Sequence, residues 1–104
     1  MRHSLDIGGR AFRLDHHQHH THGIVARQNT EHFRPAVVDA KHPTPAEREA
    51  LRAYQRGTTN GRFALKVVEW ATSEEEANAK AAAFTAPEWL DVRVLPVTQV
   101  IPHA

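Results

Sequence analysis

The sequence predicts an α+β fold in a single small domain, with an N-terminal β-hairpin, a strand-helix-strand unit, and a mixed sheet on which two helices pack. Three observations carry this expectation. Residues 62–101 read as a β-rich stretch, a capped alanine-rich helix and a second β-rich stretch. Residues 4–14 alternate apolar and polar around Gly8-Gly9. A second helix is punctuated at both ends, from Thr44-Pro45 to Gly57. At 104 residues there is room for one core and no more.

The hairpin comes first. Two successive glycines supply the positive φ angles of a primed two-residue turn, and the alternation sets Leu5, Ile7, Phe12 and Leu14 on buried sides of the paired strands. The tract DHHQHHTHG, residues 15–23, follows. If the second hairpin strand ran on, His16, His20 and His22 would share one face and His17 and His19 the other; in a loop all five would be exposed. In residues 30–42, Phe33, Val37 and Val38 are expected inside, and Pro35 resists a regular ladder.

Thr44 is an N-cap, Pro45 suits the first helical turn, and Glu47 completes a capping box, with Gly57 in the place of a left-handed C-cap. Ala50, Leu51 and Tyr54 mark the inward stripe of this helix. Arg48, Arg52 and Arg56 recur every fourth residue on the opposite side. After the Asn60-Gly61 turn, the 62–71 stretch sets Phe63, Leu65 and Val67 on one side and Ala64, Val68 and Trp70 on the other, which predicts a strand near the sheet centre covered on both faces. Ser73 and Glu76 form a second capping box ahead of a helix to Phe84, with Ala77, Ala81 and Phe84 as its apolar line. The last strand, 90–101, is interrupted by Pro96, which cannot donate to a ladder, so an edge, bulge or break is expected there.

Composition excludes several classes of function. No apolar run approaches the ~20 residues of a membrane span, and residues 4–14 are amphipathic where a signal peptide would be continuously apolar, so the chain is expected in the cytoplasm or in a particle assembled there. With no cysteine, thiolate chemistry and disulfides are absent. The net charge of +1 conceals an uneven distribution: residues 1–43 hold eight of the nine histidines. At a reference pKa of about 6.5, mild acid would charge that end selectively.

The histidine tract is the sharpest chemical signal. Imidazole is a neutral ligand for zinc, nickel or copper, and i,i+2 pairs on a strand aim to one side. His17, His19, His20 and His22 are therefore candidate ligands for zinc or nickel, with Asp15, His16, Glu31 or His32 as additional donors. Against this, a His-rich tract is a compositional cue that a polar loop also satisfies, and no cofactor is called for outright. A histidine-and-asparagine nuclease finger finds its residue types in order at His16 or His17, Asn29 and His32, but the spacing is short and Pro35 argues against a helix at His32. Both helix-opening signals account for their own Ser, Thr and Glu residues, and Gly8-Gly9 lacks the helix start of a phosphate loop.

The arginine row is the second signal. Arg48, Arg52 and Arg56 can grip phosphates or an acidic partner, although Glu47 and Glu49 dilute their field and no aromatic lies between them, which disfavours nucleic acid. Trp89, beside Pro87, is a candidate interface anchor. With no catalytic constellation in view, the expectation is a non-enzymatic interaction or assembly subunit that binds a protein partner or itself. The alternatives are a transition-metal binder and a nucleic-acid binder.

Overall fold

The computed structural model describes residues 1–102 and shows an α+β protein with two three-stranded antiparallel sheets. The hairpin forms as its glycines dictate: β1 (Arg2–Ile7) and β2 (Arg10–Asp15) pair from Arg2↔Asp15 to Ile7↔Arg10, around Gly8 at φ 53° and Gly9 at φ 83°. The N-terminal ammonium donates to the His16 carbonyl at 2.9 Å, and His16 N–H returns to the Met1 carbonyl at 3.0 Å. The ladder thus runs one step past β2.

The second sheet has β3 (His22–Gln28) in the centre, flanked by β4 (Lys66–Ala71) and β5 (Trp89–Pro96). This corrects two expectations. The sheets are wholly antiparallel instead of mixed, and the strand from the 62–71 stretch lies at an edge. The centre belongs to HGIVARQ, where Gly23, Ile24, Val25 and Ala26 are all buried, as a strand covered on both faces requires. A bulge between Ile24 and Val25 shifts the β4 register, so Val67 pairs with Val25 and Trp70 with Gly23. Trp70 therefore joins the face of Val67, where strict alternation would set it with Val68.

Between β3 and β4 the chain leaves the body. Asn29 caps a single helical turn, α1 (Thr30–Phe33), which forms despite Pro35 two residues beyond it. The longer helix, α2 (Pro45–Thr59), carries the predicted capping box: Thr44 Oγ1 accepts from Glu47 N–H at 3.1 Å, and the Glu47 carboxylate accepts from Thr44 N–H at 2.8 Å. It runs through Gly57, beside which Arg62 packs and whose carbonyl accepts from Arg62 N–H at 2.9 Å; Gly61 at φ 79° takes the left-handed position instead. No residue of α2 is buried. Leu51 and Tyr54 are half-buried, and Tyr54 leans on Phe63 (5.4 Å between ring centroids), which meets Phe33 at 6.1 Å. The helix thus rests on a small aromatic cluster and does not pack on a sheet, contrary to expectation. Val38, expected inside, is 99% exposed.

One face of the second sheet is covered by α3 (Glu74–Ala81). Ile24, Ala71 and Ala77 form the dry centre of this contact, with Val68, Ala81, Phe84, Val92 and Val94 around them. Alanines let the helix approach closely, as the Ala77/Ala81/Phe84 line predicts. Ser73 caps the helix by accepting from Glu76 N–H at 3.1 Å, but the Glu76 carboxylate reaches back to Thr72, to its N–H at 3.2 Å and its hydroxyl at 2.8 Å. The other face meets the hairpin. A Cβ built on Gly23 would stand 2.6 Å from Cδ1 of Leu5, so the glycine lets Leu5, 1% exposed, lie directly on β3.

Pro96 breaks the final strand as expected. Val97 N–H then donates to the Thr21 carbonyl and Thr98 N–H to the Ser4 carbonyl, each at 2.8 Å, and β6 (Gln99–Ile101) crosses to pair with β1. One segment thereby ties the two sheets together. The molecule measures 58 × 28 × 22 Å.

Candidate functional site

The histidines gather at the junction of the two sheets, in the loop between Asp15 and β3. The ring that organises them is one the tract does not contain. His3 lies on β1, on the same face as Leu5, and is fully buried. Its Nδ1 is 3.1 Å from the Leu14 carbonyl and its Nε2 accepts from His20 N–H at 2.8 Å. A carbonyl needs a donor and an N–H needs an acceptor, so these partners specify the neutral Nδ1–H tautomer.

Around His3 the loop imidazoles pack ring on ring. His19 stacks on it at 6.0 Å between centroids, and His20 meets it edge-on at 5.3 Å. His16 stacks on His17 at 4.5 Å and meets His20 edge-on at 4.7 Å. Loop backbone and rings also bond: Gln18 N–H donates to His16 Nδ1 at 2.9 Å, and His20 Nδ1 lies 2.9 Å from the Gln18 carbonyl. Loss of water around His16 pulls its pKa below the ordinary value, and the neighbouring imidazoles of His17 and His20 push in the same direction.

The structure thus brings together His16, His17, His19 and His20 with His3. It does not bring the whole predicted ligand set together. His22 begins β3, and its Nδ1 is 2.7 Å from Thr21 Oγ1. Glu31 and His32 stand beyond the far end of that strand, Glu31 in an ion pair with Arg34 at 2.7 Å and His32 edge-on to Phe33. Among the described residues no group of three histidine or acidic side chains is arranged to hold a metal ion. His17 and His19 are exposed, whereas His20 is 9% exposed, so the loop is not uniformly solvated. The tract alone does not disclose His3; the signal for it is a two-residue spacing from Leu5 on a strand.

The arginine row lies far along the projecting segment, and all three side chains are exposed. Arg52 and Arg56 both lean on Glu49, at 3.5 Å each, so one carboxylate serves two guanidinium groups. Arg48 has no ion-pair partner among the described residues. Arg52 and Arg56, with Gln55, Thr59 and Asn60, line a shallow depression of about 380 Å³. Trp89 is half-buried edge-on against Phe84, 5.0 Å between ring centroids.

Compared with known protein families, curated proteins and solved structures, the chain matches none.

Proposed function

We propose that this protein is a non-enzymatic interaction or assembly subunit that works through protein-protein contacts, its own copies included. One observation carries the reading: the chain exposes 6907 Å². A compact monomer of 11.7 kDa exposes roughly 5,900 Å² by the scaling of area with mass. The excess, about 1,000 Å², exceeds the ~800 Å² that each partner buries in an ordinary specific interface. The radius of gyration, 17.5 Å, departs in the same sense from the roughly 13 Å of a compact chain of this length.

The surplus has an identifiable source in the projecting segment. A 15-residue helix with no fully buried residue gains little from the hydrophobic effect, and its two caps and one aromatic cluster hold it in place. Such an element is further stabilised when a partner covers it. Sedimentation velocity across a hundredfold range of protein concentration tests the reading: mass that rises with concentration supports it, and a chain that stays monomeric throughout refutes self-assembly.

A further inference from the structure

We propose that copies of this chain dock head to tail, the arginine face of α2 on one copy against the acidic first turn of α3 on the next. The inference rests on the assembly reading and names the two surfaces that meet.

The chain distributes its charges unevenly. The projecting segment, residues 29–65, carries six Lys or Arg against four Asp or Glu. Residues 66–104, which contain α3, carry three against six. A chain of net charge +1 therefore holds formally +2 on the projecting segment and −3 on the stretch that includes α3. Opposite patches on one molecule attract a second copy in the same orientation, which gives a heterologous contact.

Local pairing identifies the residues. On α2, Arg48 is unpaired among the described residues and Arg52 and Arg56 share Glu49, so three guanidinium groups have one carboxylate partner between them. Both shared arginines line the depression with Gln55, Thr59 and Asn60. On α3, Glu76 is engaged by Thr72 and Lys80, but Glu74 and Glu75 are exposed and form no ion pair among the described residues. Guanidinium groups bind carboxylates as planar, two-point donors, so this pairing suits arginine on the basic side. The exposed area beyond that of a compact monomer is of the size one such contact covers.

The test is a charge swap read by sedimentation velocity on the full chain. Arg52→Glu with Arg56→Glu, and separately Glu74→Lys with Glu75→Lys, are each expected to weaken self-association about tenfold or more. An equimolar mixture of the two variants restores wild-type association, because each reversed face then meets its complement. Raising salt from about 0.05 M to about 0.5 M weakens wild-type association in the same way. Glu74→Gln with Glu75→Gln keeps a helix-compatible first turn should the lysine variant fold poorly, and it too weakens association. A wild-type multimer whose mass ignores every variant overturns head-to-tail docking and leaves the assembly reading intact; a wild-type monomer at all concentrations overturns both. Unchanged association joined to loss of a salt-dependent gel shift on an oligonucleotide also overturns it, and assigns the row to nucleic acid.

Discussion

Replacing Gly23 by alanine tests the seam between the two sheets, because it inserts one methyl group where Leu5 already lies. The new Cβ would sit 2.6 Å from Leu5 Cδ1, against about 3.5 to 4.0 Å for carbon atoms in contact, with Val67 Cγ1 at 3.4 Å and Trp70 Cε3 at 3.8 Å closing the other sides. Leu5 is 1% exposed, so its end can move only by giving up the packing it has. Overpacking of this kind costs about 1 to 3 kcal/mol. Alanine recovers roughly 0.5 to 1 kcal/mol of backbone entropy that glycine forfeits in a strand. The net expectation is a loss of about 1 to 2 kcal/mol, or a melting point lower by roughly 4 to 15 °C in a domain of this size. Urea unfolding followed by tryptophan fluorescence reads it directly, since Trp70 borders the site. A double-mutant cycle with Leu5→Ala sharpens the test: Leu5→Ala alone costs about 2 to 5 kcal/mol, and in that background Gly23→Ala becomes neutral or stabilising. A Gly23→Ala protein as stable as wild type, or a cost undiminished when Leu5 is shortened, would refute the close approach of hairpin and β3.

Other perturbations have equally definite outcomes. His3→Leu keeps the approximate volume but orphans the buried His20 N–H, at about 1 to 3 kcal/mol; thermal unfolding, with hydrogen exchange at His20, measures it. Thr44→Ala removes the α2 cap and costs about 1 kcal/mol, seen as lost helical circular dichroism before global unfolding. For pH, the His16 pKa is lowered on folding, so between that lowered value and 6.5 the unfolded chain binds more protons. Stability is therefore expected to fall as pH drops below 6.5, and His16→Asn to flatten that part of the urea-midpoint profile. Glu47, Glu76 and Asp91 act at lower pH: their pKa values are depressed by hydrogen bonds from Thr44 and Val38, from Thr72, and from Arg27 respectively. The stability they give is present above their unfolded values, near 4.5 for the glutamates and 3.8 for the aspartate, and is lost as pH falls through the folded ones.

Local signals in this sequence are reliable where the physics is local. Gly8-Gly9, the Thr44/Glu47 box, the Ser73 cap and the break at Pro96 all concern neighbours within four residues, and each appears where residue chemistry puts it. Sequence reasoning fails where distant segments decide. HGIVARQ is too short and too close to a histidine tract to announce itself as the central strand, yet its unbroken apolar middle is the mark of burial on both faces. The bulge that re-aims Trp70 leaves no trace in strict alternation. Gly57 has the place of a cap but stays helical, with Arg62 packed beside it. In the histidine cluster, composition discloses the crowd and misses its anchor, because His3 reaches the loop only after the hairpin folds. The arginine row is legible, while its uneven pairing through Glu49 depends on side-chain positions.

Trp70 lies on β4, at an edge of the second sheet. On the open side of β4 its carbonyl accepts from Lys80 Nζ at 2.8 Å and its N–H turns to the Glu69 carboxylate at 3.3 Å, while Lys80 is itself held by Glu76 at 3.2 Å. A foreign strand arriving at Trp70 finds that residue's hydrogen-bonding groups occupied. That point of the rim is thus guarded against pairing with another strand.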